Sequence, residues 1–342
     1  MQKRSRWGRS ALLFLLLSLL LLYIAFTRIP LLALGVDRLV GAPLRTALSR
    51  VAGAVSFSLT EWLLLSLPLV VLLSIPLALF SARSRAATRR AVAILLVPAV
   101  CVAGLYVLTF ATGRHTPPIE ERLALPVAPS PTGEEVIATA TWLTSLSKAP
   151  PSYPGDREAE ALLCRAYTAA GERYGFFANT AVAVKPTATP LLLRLGYFGL
   201  YAFPLGEVTL ASECPPSSRT FTLAHEMAHA SGFAREEEAD LVALLAALLS
   251  YDPYLISSVA EGILGRFLSC LAVDAPALWR QVSGGLSDAA REGLSRAGEV
   301  YEGGQAAEAL AAEAPDYSRT VLLTVALYRR LSSQEGGGAS IL

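Results

Sequence analysis

The chain has 342 residues, 53% of them hydrophobic, with a formal net charge of +1 and a positive mean hydropathy. That length leaves room for more than one folding unit, and the apolar excess is high for a purely soluble protein. Outside arginines beside apolar runs there is no basic cluster, glycine-rich phosphate loop or CxxC metal spacing, which argues against a nucleic-acid partner.

The apolar residues are concentrated at the front. Ala11–Phe26 (extending weakly through Leu34), Leu59–Phe80 and Ala91–Thr112 predict three transmembrane helices, at about 11–28, 59–82 and 91–112. They make residues 1–112 a membrane domain whose partner is the lipid bilayer. The first run follows basic residues as a signal peptide would. No small-x-small cleavage site precedes Tyr23, Phe26 and Arg28, however, which favours a retained anchor. Lys3, Arg4, Arg6 and Arg9 precede the first span, and Arg83, Arg85, Arg89 and Arg90 lie between the second and third. Basic segments stay cytoplasmic, so the N-terminus is expected inside and everything after Thr112 outside. Between the first two spans, residues 29–57 carry Leu39, Val40, Leu44, Leu48 and Val51, a pattern for an amphipathic helix on the outer interface.

Residues 113–132 form a Pro-punctuated connector. Glu134–Lys148 and Asp156–Tyr174 have helical periodicity, and a turn-rich stretch at 149–155 separates them. Val182–Lys185 and Leu191–Tyr201 mix apolar and small residues less regularly. Gly206–Ala211 alternates and predicts a strand, either structural or an edge that pairs with an extended substrate. Pro215-Pro216 stop that segment, and Ser217 or Ser218 can cap a helix running from Arg219 to Ala230. Gly232 stands where such a helix ends, and a second helix, opened by Arg235-Glu236-Glu237-Glu238-Ala239-Asp240, runs into Leu241–Leu249. Ala239–Leu331 reads as predominantly helical, and Ser332–Leu342 as a flexible tail. Cys101 falls in the third span; Cys164, Cys214 and Cys270 fall outside, where at most one disulfide could form and a buried free thiol is the commoner fate.

Within the first of the two late helices, residues 225–229 read His225-Glu226-Met227-Ala228-His229 and hold two of the three histidines in the chain. Positions i and i+4 share a helix face, so both imidazoles can bind one Zn²⁺, with Glu226 positioned as general base toward an activated water. A catalytic zinc takes three protein ligands, and the carboxylates beyond Gly232 can supply the third. Glu236 is preferred, with Glu238 as second choice and Glu237 after it. Asp240, four positions on from Glu236, can orient a histidine from behind. The spacing also resembles HExxHxxGxxH, but Arg235 stands where the last histidine would be, and a guanidinium cannot bind zinc. An oxyanion-stabilising group is also needed, for which Tyr251, Tyr254 and Arg319 are candidates. His115 in the connector reads as a surface or interfacial residue.

The chain resembles an uncharacterised bacterial family of membrane proteins with three N-terminal spans and an HExxH-bearing outer domain. The resemblance rests on Ser56-Phe57-Ser58-Leu59-Thr60-Glu61, on Pro117-Pro118 with Glu121-Arg122-Leu123, and on Pro215-Pro216-Ser217-Ser218 leading into the HExxH. It continues through Gly232–Asp240 and Tyr317-Ser318-Arg319-Thr320-Val321. The family commonly has Asn where Asp240 stands. The resemblance implies a mainly α membrane protein: three N-terminal transmembrane helices, then a mostly helical α+β zincin-like domain over 133–331 with a small β-element before the metal helix. It implies a zincin-like metalloprotein of the bacterial cell membrane acting as a zinc metallopeptidase. With the arginines placing the catalytic domain outside, the expected substrate is a membrane-proximal protein or peptide. The competing expectation is a non-catalytic zinc-binding sensor or scaffold, which lacks a cytoplasmic output domain. A transporter is disfavoured, because three spans with few intramembrane polar groups offer no pathway.

Overall fold

The computed structural model describes residues 2–81, 96–128, 131–147, 153–286, 291 and 317–335. Four helices open the chain: α1 (Gln2–Arg28), α2 (Pro30–Val36), α3 (Ala42–Gly53) and α4 (Leu59–Ser81), with a π-helical turn, Asp37–Gly41, between α2 and α3. Helix α5 spans Leu96–His115 and contains a second π-helical stretch, Tyr106–Ala111. Helices therefore form in all three expected spans. Among the described residues, though, only Leu96–His115 of these is long and apolar enough to cross a bilayer; α1 and α4 offer the shorter stretches Phe14–Arg28 and Leu59–Ser74. The expected inner loop with Arg83, Arg85, Arg89 and Arg90 lies outside the described residues. A second helix that passes the same test, Pro253–Val273, is 61% buried, and burial in a protein core selects the same apolar composition as lipid does.

Residues 29–57 are helical as expected, but they are not a separate surface element. Leu39 and Val51 are 80% and 70% exposed, whereas Asp37, Arg45, Ser49 and Ala52 are buried. Arg45 Nη1 donates to Asp37 Oδ1 (2.7 Å) and to the Thr109 carbonyl on α5 (2.9 Å), and Thr112 Oγ1 donates to the same Asp37 oxygen (3.0 Å). Ser49 Oγ donates to the Gly206 carbonyl (2.8 Å), and Lys185 Nζ to the Ala52 carbonyl (2.9 Å). The loop thus joins the apolar helices to the rest of the chain through its polar face.

The sheet has three short strands, β1 (Ala183–Pro186), β2 (Gly199–Ala202) and β3 (Glu207–Leu210), in the order β1-β3-β2. β1 pairs with β3 in parallel and β2 with β3 antiparallel. The strand expected at Gly206–Ala211 exists, but it is central. With both sides paired it cannot serve as the edge for an extended substrate, and β2 and β3 both pack against the helix that carries His225 and His229. Alternation misleads here because β3 is buried on both faces. Its Glu207 accepts from Lys185 Nζ (2.8 Å), Ser58 Oγ (2.8 Å) and the Leu59 and Thr60 amides (3.1 and 3.0 Å), which places a carboxylate at the start of α4.

The remaining elements are helical. α6 (Ile119–Arg122) sits in the connector, and α7 (Gly133–Leu146) opens with a capping box between Thr132 and Glu135. Then come α8 (Asp156–Tyr174), α9 (Leu191–Arg194), α10 (Pro216–Ala230), α11 (Glu236–Ser250), α12 (Pro253–Asp274), α13 (Pro276–Gly284) and α14 (Tyr317–Glu335). Every residue of α11 from Glu237 to Leu248 is buried, and α8, α10, α12 and α14 pack around it. A helix that is apolar on all sides belongs in the centre of such a bundle. α14 continues through Glu335, so the expected tail does not begin at Ser332; residues 336–342 lie outside the described ones. All four cysteines are free, so no disulfide forms.

Candidate metal centre

Pro216 occupies the first helical position of α10, where a missing N–H costs nothing, and Pro215 is the N-cap. Neither Ser217 nor Ser218 is therefore the cap. At the other end Gly232 adopts φ +102°, the Gly232 amide donates to the His229 carbonyl (3.0 Å) and the Phe233 amide to the Ala228 carbonyl (3.1 Å). This paired closure needs a residue without a Cβ at the left-handed position. It also folds the Phe233 carbonyl back onto His229, whose Nδ1–H donates to it (2.7 Å).

The same turn brings the first turn of α11 against α10. His225 Nδ1–H donates to Asp240 Oδ1 (2.8 Å), which is the placement expected for Asp240. With both Nδ1 atoms engaged, the two Nε2 atoms face each other at 3.0 Å. Glu236 completes the cluster, Oε2 lying 2.9 Å from His225 Nε2 and Oε1 3.4 Å from His229 Nε2. In a tetrahedral zinc site with bonds of about 2.0–2.1 Å, neighbouring ligand atoms lie about 3.3 Å apart. The donor set and its spacing fit that ion.

Only one of the three glutamates faces the histidines. Successive helical residues are rotated by about 100°, so two positions on from Glu236 the side chain points away. Glu238 is fully buried and accepts from Arg235 Nη1 and the Ile119 amide (3.0 Å), while Glu237 pairs with Arg319. The second-choice ligand is thereby committed elsewhere. None of the three candidate oxyanion stabilisers is in the cluster either. Tyr254 Oη bonds Thr220 Oγ1, Arg319 pairs with Glu120 and Glu237, and Tyr251 is exposed at the end of α11. His115 packs edge-on against Tyr23 (5.2 Å) at the end of α5.

The cation at the site is Arg266 on α12, which no sequence pattern marks. Its Nη1 lies 2.9 Å from Asp240 Oδ1 and 3.8 Å from Glu236 Oε2, and its guanidinium stacks over Phe221 at 5.1 Å. Burial and Arg266 both push the His225 pKa down, but the hydrogen bonds that the ring donates to Asp240 and Glu236 outweigh them and raise it to about 9. For Glu236 burial works upward, yet the two imidazoles hold its carboxyl well below the usual range. Glu226 lies on the sheet side of α10, where its Oε2 accepts the Tyr201 amide on β2 (2.7 Å). Gly199 makes that approach possible, since a Cβ there would lie 2.5 Å from Thr222 Cγ2 and 3.2 Å from Glu226 Cγ.

Residues 40–314 match a family described as "Protein of unknown function (DUF3810)", and the chain belongs to that family. No curated protein and no solved structure matches the chain.

Proposed function

We propose that this DUF3810 member is a membrane-anchored, zinc-dependent metallopeptidase. His225, His229 and Glu236 would hold the metal, and the N-terminus would be cytoplasmic with the site on the outer side. The observation that carries the reading is the convergence of two imidazole Nε2 atoms and a carboxylate on one point, beside a glutamate that is not part of the cluster. Zinc bound there would lower the pKa of a water to about 7 and polarise a carbonyl. A closed structural site would normally recruit four ligands and has no use for a base next to it.

The chain's own residues supply the rest. Asp240 and the Phe233 carbonyl hold the two Nδ1–H groups, which fixes the tautomer that turns both Nε2 lone pairs inward. The Tyr201 amide fixes Glu226 through Oε2, so Oε1 is the atom to take the proton of an attacking water and deliver it to the leaving amine. The guanidinium of Arg266 offsets the charge of Asp240 and Glu236.

Zinc per chain, measured by elemental mass spectrometry on detergent-purified protein, should be close to one. Glu226→Gln should keep that zinc and lose about 10²–10⁴-fold in cleavage of a peptide library. Zinc retained with no cleavage by the unaltered protein would leave the sensor or scaffold. Absence of zinc after reconstitution would end the metal reading.

A further inference from the structure

Both walls of the metal centre rest on the C-terminal half of the one expected span that, among the described residues, passes as membrane-crossing. Gly113, two residues before the end of α5, packs so closely on the turn after the metal helix that a Cβ would lie 2.1 Å from the Gly232 carbonyl oxygen. Gly232 is the third residue after His229, and at a rise of 1.5 Å per residue that is about 5 Å of chain. On the opposite wall, Tyr201, which holds Glu226, is two residues from Phe203. The Phe203 ring packs on Tyr106 (5.6 Å) and Phe110 (5.9 Å) of the same helix. Gly206, closing that β2–β3 turn, lies against Leu48 and Ser49 of α3, where a Cβ would lie 2.6 Å from the Ser49 amide nitrogen.

The outward side chains of residues 37–62 include large apolar groups, with the exposed Arg38 and Arg50 among them. Leu39, Val51, Phe57 and Trp62 are 80%, 70%, 52% and 61% exposed, while Asp37, Arg45 and Ser49 on the same segment are buried. An apolar, aromatic outer face interspersed with arginines, over a buried polar face, suits the boundary between lipid and water. The tyrosine and phenylalanines on α5 and the β2–β3 turn fit the same boundary.

We propose, resting on the peptidase reading above, that the substrate is a polypeptide anchored in the same bilayer, cut within about five residues of where it leaves the membrane. The contacts of the site's walls with α5 run from Tyr106 to Gly113, all within the last three turns before its end, and an extended chain advances about 3.3–3.6 Å per residue. A scissile bond further from its anchor would have to fold back to reach Glu226, and a free soluble peptide would have to find the site at the lipid boundary without the local concentration that anchoring provides.

The test uses full-length, zinc-loaded protein in liposomes with a library of randomised segments presented in four ways. Three carry one apolar transmembrane helix and a Gly/Ser spacer of about 5, 15 or 30 residues, and the fourth has no helix. Cleavage, read by mass spectrometry against the Glu226→Gln control, should fall about tenfold or more from the shortest spacer to the longest and be lowest without the helix. Equal cleavage of all four would overturn the proximity inference and leave the peptidase reading intact. No cleavage of any of them above the Glu226→Gln background would overturn both.

Discussion

Two buried charge clusters flank the Ser231–Phe233 turn, and they differ in what they leave open. On the α5 side, Arg45 and Asp37 form a balanced pair, with Thr109, Thr112 and the Ser231 carbonyl (3.5 Å from Arg45 Nη2) as further partners. On the α11 side, Asp240 and Glu236 face the Arg266 guanidinium, and a Glu236 oxygen and the two imidazole Nε2 atoms converge on one point. A balanced pair holds parts of a fold together. Ligand atoms that converge on one point can exchange a proton for a metal ion, and this is why, among the described residues, the second cluster reads as a site.

The largest effect is expected at Arg45. Arg45→Ala leaves Asp37 buried and uncompensated, which should cost about 3–5 kcal/mol of stability. Thermal unfolding in detergent should show that loss, while zinc per folded chain stays near one. Zinc lost in step with stability would mean that the two clusters are one unit. A smaller effect is expected at Arg266. Arg266→Ala removes the partner of Asp240 and should weaken zinc affinity about 10–100-fold, with Arg266→Lys recovering part of it. Chelator competition measures this, and an unchanged affinity would reduce Arg266 to packing on Phe221.

The subtlest test is protonic. In the metal-free protein the His225 pKa is raised to about 9, so its charged form is favoured by the fold. Its contribution to metal-free stability is then fully present below the ordinary value of about 6.5 and lost as pH rises through about 9. Zinc requires the neutral ring, so binding at pH 7 should release about one proton per chain from this group, and release should fade above pH 9. Calorimetry in buffers of different ionisation enthalpy counts that proton. No release at pH 7 would mean that Asp240 and Glu236 do not hold His225 charged.

Much of the local order was legible in the chain. The span of α8, the strand at Gly206–Ala211, the end of α10 at Gly232 and the carboxylate-loaded start of α11 all follow from short-range rules of periodicity, β-propensity and capping. So did the grouping of His225 and His229, because i and i+4 is a property of one helix. The misreadings are tertiary. β3 is central rather than an edge because β1 and β2, whose sequences show no clear alternation, pair on either side of it. What sequence could not show in the loop before α4 is that Arg45 itself is buried, compensated by Asp37 and the Thr109 carbonyl, since a hydropathy scale cannot credit a partner 64 residues away.

By itself, then, the sequence determined the elements, the apolar front of the chain and the helix that carries both histidines. Only the tertiary structure chose Glu236 from three adjacent glutamates, recruited Arg266 from α12, set Glu226 on the Tyr201 amide, and seated the centre on the end of α5. The division has one physical cause. Capping, periodicity and i,i+4 pairing act within a few residues, whereas donor convergence depends on how separate helices rotate and pack, and that is set by the whole core.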